Sequence, residues 1–205
     1  MGQGYGQLKW YGWQFSRLAV RLLGAVLCLI VLGALTHESG HGLAAIVCGG
    51  RVTQLNVLGV QFPPLAWNWT KGYWGWTRLA GEFTAIQTAW INLSGNLATM
   101  LISIVALPLY LHHRSGTALH ILLLGLSLFF LDTLAHTLPT FGLPMYLFFG
   151  SRSVDRVSEG YRAAIALGVP GWIFQTVIVS YALLAMVLIG RKLWSERLPK
   201  QIGKR

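Results

Sequence analysis

His37-Glu38-Ser39-Gly40-His41 is the stretch of this chain whose residue types and spacing could do chemistry. On a helix, positions four apart project from one face, one turn apart. Two imidazoles so placed can share one Zn²⁺, and Glu38 stands beside them to take a proton from metal-bound water. Zinc lowers the pKa of such a water toward neutrality and can polarise a substrate carbonyl. Ser39 and Gly40 are small, so a second helix or a substrate backbone could come close at this turn.

The setting sharpens this reading. The chain has 205 residues, 54% hydrophobic and 11% charged. Soluble domains carry about 25% charged residues, so the composition points to a single-domain membrane protein. Ionisable groups at the centre of a membrane helix cost about 2.5–3.5 kcal/mol each on insertion scales and are functional by default. Three of them within five positions of one apolar run are not expected as packing residues.

Four stretches are long enough to cross a bilayer, at about 20 residues each: 18–48, 83–111, 118–138 and 172–189. The first is read as an uncleaved span. The expected fold is therefore all-α, with about four transmembrane helices. Partial alternation over 52–62, ended by Pro63-Pro64, predicts a strand or short hairpin after the first span. Trp67, Trp69, Tyr73, Trp74 and Trp76, mixed with Lys71 and Arg78, suit a membrane–water interface. Residues 140–150 are apolar, short and broken by Gly142 and Pro144, which suits a re-entrant segment, and 155–167 reads as an amphipathic helix before the last span. Cys28 and Cys48 lie twenty positions apart on one helical run, roughly 30 Å, too far to bridge.

The net charge of +10 is carried by Lys and Arg at the ends of the apolar runs, six of them after Ile189. That pattern orients membrane proteins and does not suggest nucleic-acid binding. Ten basic residues fall on the side of the termini and six (Arg51, Lys71, Arg78, Arg152, Arg156 and Arg162) on the other. The bias predicts both termini in the cytoplasm and the histidine pair in the outer half of the membrane.

A catalytic zinc site wants three protein ligands and an open position. Away from the opposite face, where His112, His113 and His120 lie, the remaining candidates are Asp132, His136, Asp155 and Glu159. Asp132 leads on position. It lies about seven residues from the outer end of its span, as His41 does, or roughly 10 Å. Asp155 precedes a helix and suits an N-cap. His136, four after Asp132, shares its helical face and suits an orienting partner for that carboxylate. Asn96 in the second span suits helix packing, or the binding of a substrate carbonyl.

HESGH followed by Gly-Leu-Ala-Ala-Ile-Val-Cys-Gly-Gly-Arg-Val (42–52) resembles the site-two protease family of intramembrane zinc metallopeptidases, especially its small bacterial branch. The match is close over 36–52 and weaker at Asn96. The resemblance implies zinc on His37, His41 and a late Asp, with Glu38 as the base, cleaving a membrane-protein substrate within the lipid bilayer of a bacterial inner membrane. The family's usual Leu-Asp-Gly is absent. Ser153-Val154-Asp155, before a helix ending in Gly168-Val169-Pro170, resembles the small branch and favours Asp155 as third ligand, with Asp132 its near-equal alternative. That departure leaves room for a non-proteolytic metal-binding or scaffold membrane protein related to the same family.

Overall fold

The computed structural model describes residues 3–68, 75–114, 117–141 and 159–197, with the backbone alone for 3–17 and 197. It is mostly helical, with a small antiparallel sheet. In chain order, helix α1 (Gln3–Val47) is followed by strands β1 (Arg51–Val57), β2 (Val60–Phe62), β3 (Ala66–Trp67) and β4 (Gly75–Ala80). Then come α2 (Ala85–His112), α3 (Ala118–Ser127), α4 (Phe130–Thr137), a 3₁₀ turn (Leu138–Phe141), α5 (Glu159–Ala166) and α6 (Gly171–Arg197). Four helical stretches among the described residues are long and apolar enough to cross a membrane: Leu18–Val47, Ala85–His112, Ala118–Phe141 and Gly171–Glu196. Over an 18-residue apolar window of each, half of the residues are buried in the second and third stretches, against 17% in the first and 22% in the last. The second and third are therefore the central pair, and the site forms where the first packs on them.

Local sequence explains the joints. Gly49 takes φ +85° at the end of α1, where the Gly50 N–H returns to Ala45 O and the Gly49 N–H to Ile46 O. This left-handed ending satisfies the last helical carbonyls and turns the chain directly into β1. Gly168 (φ +83°) ends α5 in the same way. Thr84 and Gln87 form a reciprocal capping box at the start of α2.

The sheet is larger than a hairpin. Its order is β3-β2-β1-β4, so β1 pairs on both sides, and Asn56 stands opposite Gln61 of β2 and Trp76 of β4. The Leu58-Gly59 turn has positive φ at both residues (51° and 85°), the two-residue hairpin geometry that suits strand twist. Trp76 and Arg78, expected in an interfacial loop, lie in β4, while Trp69, Lys71, Tyr73 and Trp74 lie outside the described residues. Most of the segment 140–150 also lies outside them.

The third span is not one helix. At Leu128-Phe129 it passes through 3₁₀-type bonds, Leu131 N–H to Leu128 O and Asp132 N–H to Phe129 O. Ser127 O thus loses its usual partner, the N–H of residue 131, and accepts the Ser103 hydroxyl of α2 instead (2.7 Å). A broken helix is tolerated at membrane depth when a neighbouring side chain satisfies the freed backbone group.

An apolar core joins α1, α2, α3, α4 and α6 through Ala25, Met100, Leu107, Leu124, Phe130 and Ile178. Towards the end of the bundle away from HESGH, Arg21 pairs with Glu196 (2.9 Å), tying α1 to α6, and Lys192 reaches the carbonyls of Leu111 and His113 (3.2 Å each). Between α1 and α3, a Cβ on Gly125 would sit 2.6 Å from Cys28 Cβ and 3.0 Å from Ala25 O. Gly125→Val should therefore destabilise the bundle by about 1–3 kcal/mol, the range for overpacking. Thermal unfolding in detergent should show this as a lowered midpoint, whereas Gly190→Ala, which meets nothing within 4 Å inside α6, should not lower it.

Candidate metal centre

HESGH lies in the last three turns of α1, where α2 crosses it closely. A Cβ on Gly40 would be 2.6 Å from Ser94 O and 3.0 Å from Gly95 Cα. Only a glycine on α1 allows this approach without displacing α2. Opposite, a Cβ on Gly95 would be 2.5 Å from His41 Nε2 and 2.8 Å from His37 Nε2. Both Nε2 atoms therefore lie close together above Gly95.

Their other nitrogens are committed. His37 Nδ1 lies 2.7 Å from Asp132 Oδ2, and His41 Nδ1 lies 2.6 Å from Ile91 O of α2. A carbonyl only accepts, and so does an ionised carboxylate, so Nδ1 carries a hydrogen in each ring, and in the neutral, metal-binding form Nε2 presents its lone pair. Asp132 is itself held by the Thr99 hydroxyl (2.9 Å) on α2. His136 stacks on His37 with ring centroids 4.9 Å apart, and its Nδ1 donates to Asp132 O and lies 3.5 Å from Oδ1. His37, His41 and Asp132 are all buried, at 7%, 8% and 5% exposure.

Glu38 is nearly buried and faces the sheet. The Thr77 hydroxyl of β4 lies 2.8 Å from its Oε2 and 3.0 Å from its main-chain oxygen. A Cβ on Gly75 would be 2.9 Å from Oε1, so glycine at the start of β4 leaves that oxygen its space.

The third acid near the histidines is Glu159, the first residue of α5. Its Oε2 is 4.0 Å from His41 Nε2, and its side chain is 41% exposed. Two groups of side chains could hold a metal ion: His37, His41 and Glu159, or His37, Asp132 and His136, each with ligand atoms within 4.8 Å of one another. The chemistry of the donors favours the first. Zinc ligands at about 2.0–2.1 Å lie roughly 3.3 Å apart in a tetrahedron. An ion between His37 Nδ1 and Asp132 would have to break a 2.7 Å hydrogen bond. An ion above Gly95 would meet two Nε2 atoms and the half-exposed Glu159 carboxylate, with a carboxylate behind one histidine and a carbonyl behind the other, the usual support for metal-bound imidazole.

Of the residues singled out from sequence, His37, Glu38, His41, Asp132, His136 and Asn96 all fall in this region. Asp132 touches His37 on the nitrogen facing away from the convergence point, which suits an orienting role rather than ligation. Asp155 lies outside the described residues. Glu159 was one of four candidates, and its place four positions after Asp155 in the sequence was the available signal. Thr77 and Gly95 carried none, because each matters only through another element's side chain. No family model, curated protein or solved structure matches the chain.

If the ion sits above Gly95, Gly95→Ala should abolish stoichiometric zinc uptake. Asp132→Asn should keep it but weaken affinity by about 10- to 100-fold, the cost of losing a carboxylate behind a ligating histidine. Zinc titration of the purified protein against a chelating dye measures both, and equal affinity in parent and Gly95→Ala would rule out this placement.

Proposed function

We propose that this chain is an intramembrane zinc-dependent endopeptidase, akin to the site-two protease family that its 36–52 segment resembles. The observation that carries the reading is the convergence of two buried imidazole Nε2 atoms, each with Nδ1 already committed, one residue from a carboxylate and within a span apolar enough to cross a membrane. His37, His41 and Glu159 would hold the ion. When bound, zinc supplies Lewis acidity, which makes a water acidic near neutral pH and polarises a peptide carbonyl.

The chain's own groups would do the rest. Thr77 holds Glu38 by Oε2, leaving Oε1 to accept the proton of the attacking water and pass it to the departing amine. Asp132 and Ile91 O keep both imidazoles in the required tautomer. The apolar span limits bulk water, so the substrate is a segment of another membrane protein, with its backbone unwound enough to expose a carbonyl. β4 has β1 on one side only among the described residues, and its other edge could pair with such an extended segment. The charge bias favours both termini in the cytoplasm, and the family resemblance supports a bacterial inner membrane.

Glu38→Gln tests the mechanism. In proteoliposomes carrying single-span model peptides with a helix-breaking residue, the variant should bind zinc as the parent does and lose about 10²–10⁴-fold in cleavage rate, the range for a positioned acid–base group. Equal cleavage by variant and parent would remove Glu38 from the chemistry.

A further inference from the structure

We propose that the Asn96 side-chain amide is the hydrogen-bond donor that receives the substrate's scissile carbonyl oxygen as it gains negative charge, an inference that rests on the peptidase reading above. Asn96 is 2% exposed, and neither Nδ2 nor Oδ1 has a hydrogen-bond partner among the described residues. Leaving a buried polar group unpaired costs about 1–3 kcal/mol, so such a group calls for an explanation. Amides in membrane helices commonly bond across to a neighbouring helix. Asn96 does so only through its main chain, whose carbonyl accepts the Thr133 hydroxyl of α4 (3.0 Å). Its side chain glues nothing.

Its location supplies the role. Asn96 directly follows Gly95, the residue on which His37 and His41 converge. Its Nδ2 lies against Gly160 of α5, where a Cβ would stand 2.6 Å away. Gly160 in turn directly follows Glu159, whose carboxylate approaches His41. The amide thus occupies the α2–α5 seam, one residue along the chain from each half of the candidate metal centre, and a glycine lets α5 pack directly against it. The far side of Gly160 is apolar, with Phe174 Cζ 3.5 Å from the same Cβ position. An N–H donor in low-dielectric surroundings, prepaired with nothing, is suited to an oxygen whose charge develops only during reaction.

The test uses the full chain, purified in detergent and loaded with zinc, with Asn96→Leu as the near-isosteric variant lacking donors and Asn96→Ala as a second. Two probes separate the roles: a leucine-flanked phosphinic pseudopeptide, whose tetrahedral anion mimics the charged carbonyl, and 1,10-phenanthroline, which needs only the metal. Both variants should keep the parent's zinc content and its rate of zinc loss to phenanthroline. Calorimetry should show the phosphinic peptide binding about 10- to 100-fold more weakly to them, somewhat below the loss in rate on removing one such donor. Unchanged phosphinic affinity in either folded variant overturns the proposal. Loss of zinc in both also overturns it, since Asn96 would then support the ligands and not the substrate. A parent that takes up zinc but ignores the phosphinic peptide refutes it as well, whereas a parent that takes up no zinc refutes the metallopeptidase reading itself.

Discussion

An imidazole offers a metal a fixed lone pair only when its other nitrogen is engaged, and the 2.7 Å contact between His37 Nδ1 and Asp132 makes that engagement in the middle of the protein. Much else serves it. Asp132 is a buried carboxylate among apolar helices, an expensive group to place there. It is offset by three neighbours on three elements: His37 from α1, the Thr99 hydroxyl from α2 and His136 one turn along its own helix. Removing any one of them would leave a charge without its full complement of hydrogen bonds, which is why this network belongs to the fold as much as to the site.

Two departures from regular helix packing make the contact geometrically available. Gly40 and Gly95 let α1 and α2 approach until the histidines lie over α2's backbone, and Ile91 O then becomes reachable for His41. The break at Leu128-Phe129 separates α3, which packs on Cys28 and Ala25, from α4, which carries Asp132 and His136. One straight helix would tie the register of Asp132 to the packing of Gly125. The Ser103 hydroxyl, by donating to Ser127 O, satisfies the carbonyl freed where the two halves part. On the other side β4 reaches back over α1 so that Thr77 can grip Glu38, a contact made across 39 positions of sequence.

These facts explain what could be read from the sequence. The spans were legible because hydropathy over some twenty residues is a local, additive signal, and their bounds moved by only a few residues at most ends. The HESGH turn was legible because its spacing is a property of one helix. Asp132 could be brought to the right depth by counting residues, but counting cannot say which histidine nitrogen it meets, and that decides between a ligand and an orienting partner. Gly75–Ala80 did not read as a strand, because its Trp and Arg match an interfacial belt equally well and its pairing with β1 is long-range. The break in the third span left no mark in a run of apolar residues with neither proline nor glycine at the joint. Glu159 read as the polar face of an amphipathic helix, and only the packing of α5 on α2 brings it to His41.

The central claim is that the metal sits above Gly95, on the nitrogens that Asp132 and Ile91 leave free. Diffraction from crystals of the zinc-loaded protein, collected on both sides of the zinc absorption edge, tests it directly. The account predicts a single anomalous peak within about 2.0–2.2 Å of His37 Nε2, His41 Nε2 and a Glu159 oxygen, with the His37–Asp132 hydrogen bond intact. A peak between His37 Nδ1, Asp132 and His136, or none near either histidine, would contradict it.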